Sequence, residues 1–212
     1  SLVVDLACGT GSLCVEMSRR GYEMIGIDLS PDMLSVAQNK AFEAGTGVLY
    51  LNQDISGFEL YGTADAFLCT MDSVNYITSK ESLNSMFRLV NNYLNPGGLF
   101  IFDINSEYKL SGILGGNVFY SIEEDIAYIW ENSYNSETRI CEFDITFFCR
   151  TGKLYRRWDE IHEERAYSVE ELKEVIGESD LELEGLYEEM TFNEPRSETE
   201  RIFFVCRKPV KK

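Results

Sequence analysis

Short apolar stretches alternate with amphipathic ones through residues 1–105. The apolar stretches are predicted strands, at Val3–Leu6, Glu23–Asp28, Val48–Asn52, Ala64–Cys69 and Leu99–Asp103. The segments between them carry apolar residues at helical spacing, as in Leu83, Met86, Phe87, Val90 and Leu94. Strands joined by helices in this order form parallel sheets with right-handed crossovers. The pattern therefore predicts a doubly wound α/β sheet.

Capping residues predict where the helices begin and end. Thr78-x-x-Glu81 and Ser168-x-x-Glu171 both have the spacing of a capping box. The helix after Ser168 is predicted to cover Leu172–Ile176 and to be closed by Gly177.

After Asn105 the pattern changes to long strands. These are predicted at Ile126–Tyr134, Arg139–Arg150 and Lys153–His162, after a glycine-rich loop at Ser111–Asn117. Apolar residues alternate along the middle strand, which indicates that one face is buried, and the alternating residues are Cys141, Phe143, Ile145 and Phe147. A final helix and two strands, Leu181–Met190 and Arg201–Arg207, are expected to complete the first sheet with an antiparallel hairpin.

Three segments follow from this reading. We expect residues 1–105 to form an α/β core, residues 106–165 an antiparallel insertion, and residues 166–212 a return to the core. The predicted fold class is α/β, a doubly wound, Rossmann-like, mostly parallel seven-stranded sheet with an antiparallel β insertion after strand five.

Composition narrows the function classes. Asp and Glu number 36 against 19 Lys and Arg, a net charge of −17, so a nucleic acid partner is not expected. The six cysteines are scattered without a C-x-x-C pair, which predicts neither disulfides nor a metal site. The sequence has neither an apolar run of membrane-spanning length nor a signal peptide. We therefore expect a cytoplasmic protein without a membrane partner.

The run V-V-D-L-A-C-G-T-G-S-L-C, residues 3–14, joins the first strand to its helix. Gly9 and Gly11 lie in this turn, where glycine lets a ligand approach the backbone. Asp28 ends the second strand, where an acid accepts hydrogen bonds from ribose hydroxyls. Glycines in such turns also serve packing alone, but the loop, the acid and the strand context together favour a nucleoside ligand.

The predicted ligand is not expected to be a dinucleotide. The G-x-G-x-x-G pattern of dinucleotide sites has Cys14 in its third glycine position here, and it gives Asp5 no role. The run D-L-A-C-G-T-G, followed by Gly26-Ile27-Asp28, instead resembles motif I and the next acidic position of class I S-adenosylmethionine-dependent methyltransferases. Asn52-Gln53-Asp54-Ile55 and Asn95-Pro96-Gly97-Gly98 resemble later segments of the same family.

This resemblance implies S-adenosylmethionine as the cofactor and suggests which residues contact it. Those expected around the methionine and ribose portions are Asp5, Ala7, Cys8, Gly9, Gly11, Asp28, Cys69 and Thr70. Those expected at the adenine are Leu29, Met33, Asp54 and Ile55. Many family members have glycine at the position of Ala7; alanine is small, so we expect binding to be retained.

The run Cys69–Ile77 resembles the branch of small-molecule N-methyltransferases that includes glycine and amino-sugar enzymes. This branch often carries an antiparallel insertion after strand five, so the resemblance implies a small-molecule amine as acceptor and an insertion that covers it. His162, Asp72 and Tyr76 are the candidate catalytic residues. His162 is the only histidine and is suited to be a general base, or it is a solvent-facing strand residue. Asp72 and Tyr76 are active-site groups or belong to an ordinary helix-entry turn.

Several alternatives stay open on the sequence alone. Tyr128, Trp130, Tyr155 and Trp158 either line a cation-accepting pocket or form sheet core, and core is favoured. The chain is a monomer or a homodimer. A nicotinamide-dependent oxidoreductase and a non-catalytic S-adenosylmethionine-binding module are the competing functions. The sequence begins on a strand without an initiating Met, so we expect an upstream segment that packs over the cofactor and strengthens its binding.

Overall fold

A computed structural model describes residues 1–210. Its larger sheet has seven strands in the order β10-β11-β5-β4-β1-β2-β3. Their bounds are β1 Leu2–Leu6, β2 Glu23–Asp28, β3 Leu49–Asn52, β4 Ala64–Cys69, β5 Leu94–Asn105, β10 Glu182–Glu188 and β11 Arg201–Arg207. Strands β1 to β5 pair in parallel, whereas β11 pairs antiparallel with β5 and β10 with β11. The predicted seven-stranded, mostly parallel sheet is confirmed.

A second sheet of four antiparallel strands follows β5. Its order is β6-β7-β8-β9, with bounds β6 Val118–Ile122, β7 Ile126–Asn135, β8 Ile140–Thr151 and β9 Leu154–Arg165. The short edge strand β6 was not predicted. The segment predicted as a glycine-rich loop at Ser111–Asn117 is also wrong in part, because residues Tyr108–Leu114 form a π-helix. Leu110 and Leu114 are buried under the second sheet, and this packing favours helical structure despite the glycines.

Within residues 1–210, four α-helices connect the strands: α1 Ser12–Arg19, α2 Pro31–Ala44, α3 Lys80–Tyr93 and α4 Val169–Glu178. A 3₁₀ helix, Ser73–Tyr76, lies between β4 and α3. The capping box of Ser168 and Glu171 is present. The prediction for α3 was wrong by one residue: Ser79 is the N-cap and its Oγ accepts from the Ser82 amide at 3.1 Å. The carbonyl of Thr78 instead accepts from Arg165, outside the helix.

The predicted end of α4 was also wrong. The helix continues through Gly177 to Glu178 and is capped by Ser179, whose Oγ donates to the Ile176 carbonyl at 2.7 Å. A side-chain hydrogen bond thus ends the helix where the sequence suggested a glycine stop.

Among the described residues, three hydrophobic clusters hold the sheets, and the smallest of them packs Val3 and Met24 of the large sheet against Cys14 of α1. In the first, aromatic rings stack between α3 and the centre of the large sheet, with the Phe102 and Phe204 centroids 4.7 Å apart. The second core places Cys141 and Phe143 of β8 against the π-helix, with Trp130 partly buried beside them. Trp130 therefore belongs to sheet core as favoured, whereas Tyr155 and Trp158 are about half exposed because the distal half of the second sheet extends beyond this core.

Within the described residues, no helix is long and apolar enough to cross a membrane. The same part of the chain contains no group of three or more His, Cys, Asp or Glu side chains arranged to hold a metal ion.

Candidate functional site

A cleft of about 940 Å³ opens at the carboxyl ends of the parallel strands. The strand order reverses direction between β1 and β4, and this is where open α/β sheets bind ligands. One wall consists of the loops after β1, β2 and β3. The opposite wall consists of the 3₁₀ helix and the start of α3, and His162 reaches the cleft from β9.

Most of the predicted site residues line this cleft: Ala7, Gly9, Asp28, Leu29, Met33, Asp54, Ile55, Tyr76 and His162. Others do not reach its surface: Asp5, Cys8, Gly11, Cys69, Thr70 and Asp72. Seven further residues line the cleft and were not predicted from the sequence: Ser30, Ser56, Ser73, Ile77, Thr78, Ser79 and Ser82. Ser30 and Ser79 could have been predicted, because both are helix N-caps. A helix that follows a parallel strand begins at the edge of the sheet where that strand ends.

Gly9 and Asp28 form the centre of the first wall. The Gly9 amide donates to Asp28 Oδ2 at 2.7 Å, and the Ser30 amide donates to Asp28 Oδ1 at 2.9 Å. A carboxylate has about four acceptor positions, so these bonds leave capacity for ligand hydroxyls. Gly9 has a φ of +54°, and no protein atom lies within 4 Å of the position that a Cβ would take. The backbone is therefore open to a ligand beside an acid.

Gly11 has a different role. Its φ is +70°, and a Cβ there would lie 2.3 Å from the Tyr50 hydroxyl and 2.8 Å from Ala37 Cβ. Gly11 is therefore required for close packing of the loop against α2 and β3. Ala7 also has a left-handed backbone, with a φ of +56°, which explains why glycine is favourable at this position.

Asp5 lies beneath the loop. It is buried and accepts a hydrogen bond from Cys14 Sγ at 3.3 Å. Burial raises its pKa to about 6; the Cys14 hydrogen bond opposes this rise and the charge of Asp28 adds to it. Cys69 is also fully buried, and burial raises the pKa of its thiol well above the ordinary value. Both residues therefore lie beneath the surface of the cleft.

The loops after β2 and β3 supply an apolar and polar surface. Leu29 and Met33 expose 69% and 47% of their surface and both line the cleft, so they present apolar surface to it. The Asn52 side chain donates to the carbonyls of Asp28 and Leu29 at 3.0 and 2.8 Å and joins the two loops. Asp54 Oδ1 accepts from the Ser56 amide and hydroxyl at 2.7 and 2.8 Å, which fixes the next turn.

This wall fits an S-adenosyl group. Gly9 leaves open space, Asp28 offers acceptors for ribose hydroxyls, and Leu29, Met33 and Ile55 provide apolar surface for a purine.

Tyr76 and His162 lie next to each other on the other side of the cleft. Their rings are edge-to-face with centroids 6.0 Å apart, and His162 Nε2 lies 3.2 Å from Glu160 Oε2. Partial burial and the charges of Glu164 and Asp72 raise the pKa of Tyr76 to about 12. Tyr76 is therefore a hydrogen-bond donor at neutral pH and is unsuited to be a base there.

Asp72 is turned to a different partner. Its Oδ1 accepts from Arg201 Nη2 at 2.5 Å, so the carboxylate forms an ion pair away from the cleft surface. Glu164 is buried behind it on β9, where Asn105 Nδ2 donates to Glu164 Oε2 at 2.8 Å. Burial and the charge of Asp72 raise the pKa of Glu164 to about 8. A buried, mostly protonated carboxyl therefore lies behind Tyr76.

Comparisons with known proteins agree with this geometry. A protein-family profile described as a methyltransferase domain matches residues 3–98. YqeM of Bacillus subtilis strain 168, whose methyltransferase name is provisional, is 36% identical over 209 residues, which cover 97% of this chain and 83% of YqeM. A crystal structure of an S-adenosylmethionine-dependent methyltransferase from Clostridium acetobutylicum is 36% identical, with a TM-score of 0.93 over 99% of this chain and 84% of that chain. The sugar N-methyltransferase KedS8 from Streptoalloteichus shares the fold, with a TM-score of 0.83 at 20% identity over 99% of this chain and 80% of that chain.

Proposed function

The chain belongs to the class I S-adenosylmethionine-dependent methyltransferases, and we propose that it methylates an amine nitrogen of a small molecule. The observation that carries the proposal is one cleft in which the Gly9 and Asp28 wall faces Tyr76 and His162. The amine is supported by the resemblance of Cys69–Ile77 to the N-methyltransferase branch. The shared fold of the sugar N-methyltransferase KedS8 is consistent with it.

The first wall is proposed to bind the cofactor. Bound S-adenosylmethionine supplies a methyl group on a sulfonium, which is already activated for displacement. In this proposal Asp28 accepts from the ribose hydroxyls, and Leu29 and Met33 pack against the adenine. Asp54 accepts from the adenine amino group, while Ile55 offers its backbone amide. Asp5, Ala7, Cys8, Gly11 and Cys69 shape the loop around the methionine portion, mostly from beneath the surface.

The second wall is proposed to bind the acceptor. An amine attacks as the neutral base, so it loses one proton in the overall reaction. In the proposal His162 accepts that proton, with its ring oriented by the nearby Glu160, and Tyr76 donates a hydrogen bond to the acceptor. We further propose that residues 106–165 act as an acceptor cap over the core of residues 1–105, because β9 of the second sheet brings His162 to the cleft.

Two experiments test the proposed function. Thermal shift with S-adenosylmethionine, S-adenosylhomocysteine and NAD first identifies the cofactor; we expect stabilisation by the two adenosyl compounds and none by NAD. Release of S-adenosylhomocysteine is then measured with a panel of primary and secondary amines, each paired with the alcohol of the same carbon skeleton. Turnover of amines alone supports the proposal. Turnover of alcohols alone contradicts the amine assignment, and binding without any release supports a non-catalytic module.

A further inference from the structure

The chain makes an unusual turn directly after β4. Met71 and Asp72 are consecutive residues with left-handed backbones, at φ values of +61° and +56°. This conformation is unfavourable for residues that carry a Cβ, and two in succession are held only by strong surrounding contacts. The 3₁₀ helix Ser73–Tyr76 starts immediately after the turn and brings Ser73 and Tyr76 to the cleft. The position of Ser73 and Tyr76 in the wall that is proposed to bind the acceptor therefore depends on this turn.

Asp103 binds both backbone amides of the turn. The Met71 amide donates to Asp103 Oδ1 at 2.8 Å, and the Asp72 amide donates to Asp103 Oδ2 at 3.0 Å. Asp103 is fully buried on β5, the strand next to β4 in the sheet. Hydrogen bonds to an ionised carboxylate are about twice as strong as neutral ones. One carboxylate thus fixes two adjacent peptide units.

Arg201 completes the arrangement from β11. Its Nη1 donates to Asp103 Oδ2 and its Nη2 donates to Asp72 Oδ1 at 2.5 Å. One guanidinium therefore bridges the buried acid and the side chain of the turn itself. The three adjacent strands β4, β5 and β11 supply the turn, the anion and the cation in that order.

Asn75 holds the far end of the same 3₁₀ helix. Its Nδ2 donates to the carbonyls of Asn105 and Arg165, both at 3.0 Å, and its Oδ1 accepts from the Asn105 amide at 2.9 Å. The helix is therefore anchored to β5 at both ends and to β9 at one. If the bonds to Asp103 are lost, we therefore expect the change in structure to stay within the turn and the 3₁₀ helix that follows it.

We propose that Asp103 and Arg201 are positioning residues for methyl transfer, because they hold the left-handed turn that aims Ser73 and Tyr76 into the acceptor side of the cleft. This assignment rests on the proposed function of that side. Neither residue lines the cleft. Asp103 acts through the two backbone amides of the turn, and Arg201 acts through the side chains of Asp103 and Asp72.

The main test is Asp103→Asn, measured by amide hydrogen exchange, S-adenosylhomocysteine affinity and turnover of the acceptor found in the amine panel. Asparagine keeps the size but presents an NH₂ group to one of the two amides and removes the charge facing Arg201. We expect exchange of the Met71 and Asp72 amides to become at least about tenfold faster. Turnover should fall on the order of 10²-fold, because a small misalignment of the reacting groups has an effect of this size. Cofactor affinity should change less than about threefold, because the wall of Gly9 and Asp28 stays intact.

Arg207→Met is the matched control for Arg201→Met. Arg207 is another arginine of β11, but it pairs with Glu184 at the end of the strand away from the turn. Arg201→Met should reproduce the local exchange and the loss of turnover, whereas Arg207→Met should change neither. Equal turnover losses in the two variants would indicate a general weakening of β11 and would overturn the proposal.

Met71→Gly in the Asp103→Asn background tests whether the backbone of the turn is the route. Glycine adopts the left-handed conformation without a Cβ, and Met71 is mostly exposed, so little packing is lost. We expect at least about threefold recovery of turnover. No recovery together with wild-type exchange rates in Asp103→Asn overturns the proposal.

If no amine is methylated, the amine assignment fails. The difference in amide exchange between the Arg201 and Arg207 variants then still decides whether Asp103 and Arg201 hold the turn.

Discussion

Asp28 combines two tasks in one side chain. It accepts hydrogen bonds from the Gly9 and Ser30 amides, which fixes the loop after β1 relative to the loop after β2. The same carboxylate borders the cleft at the position proposed for the ribose. Under the proposed function, the same two oxygens order the loop and bind the ribose.

Asp28→Ala should weaken S-adenosylmethionine binding by about 1.5–3 kcal/mol, the range for hydrogen bonds to a charged group. Isothermal titration calorimetry measures this directly. Asp32→Ala is the matched control, since Asp32 is exposed in the first turn of α2 and does not line the cleft. Equal affinities of the wild type and Asp28→Ala would remove Asp28 from the cofactor site.

His162→Gln tests the proposed base. Glutamine keeps a hydrogen-bonding side chain of similar length but cannot take up the proton, so turnover should fall about 10²–10⁴-fold. Cofactor affinity should stay near the wild-type value. Glu163→Gln, on the neighbouring exposed residue, is the control and should leave turnover unchanged. Full turnover in His162→Gln would show that His162 accepts no proton in the reaction.

Glu164 should make stability depend on pH. Its pKa is raised from 4.5 to about 8 in the folded state, first by burial, so between these values the folded protein holds a proton that the unfolded chain releases. Its contribution to stability is therefore complete below pH 4.5, falls as the pH rises and is lost above about 8. Glu164→Gln, which stays neutral, should lose less stability than the wild type between pH 5 and 8 in urea unfolding. Identical pH slopes would contradict the assignment.

Among the elements, α3 begins at the cleft, so the residue that caps this helix also lines the cleft. Ser79 caps the helix, whereas Thr78, the residue expected from the sequence, faces the cleft and gives its carbonyl to Arg165. Both candidate caps obey the same local preference. What distinguishes Thr78 is a tertiary contact, because its carbonyl accepts from Arg165 of β9, 87 residues along the chain.

Ser79→Ala should lower the free energy of unfolding by about 1 kcal/mol, because the Ser82 amide loses its acceptor. Thr78→Ala is the control and should cost clearly less, since its side chain caps nothing in the described structure. Chemical denaturation of both variants compares the two. A larger loss in Thr78→Ala would mean that the helix begins one residue earlier.

For the whole molecule, charge is the dominant surface property. A net charge of −17 makes the folded chain repel itself, although ion pairs such as Arg139 with Glu171 offset part of the repulsion locally.

Salt should therefore stabilise the protein at neutral pH. Raising NaCl from about 0.02 to 0.5 M shortens the screening length severalfold, so Tm should rise. The same titration at pH 5, closer to the isoelectric point of about 4.4, should give a smaller rise because less charge remains to be screened. A fall in Tm at neutral pH would mean that attractive ion pairs outweigh the net repulsion.

The amino-acid sequence by itself determined the large sheet, the glycine loop after β1 and the acid that faces it. Gly9, Asp28 and the strands that carry them lie within a short segment, so local spacing and period are enough to predict that they meet at one edge of the sheet. The sequence also indicated the antiparallel character of the second sheet through the alternation along β8.

Only the tertiary structure decided which residues share the cleft and how the turn after β4 is held. Gly11 serves packing against Tyr50, and Asp72 pairs with Arg201, which lies 129 residues away. Asp103 was assigned no role from sequence, because a buried acid on a hydrophobic strand has no local signature. Such partners are set by the order and register of neighbouring strands, a property of the assembled sheet that spacing along the chain does not encode.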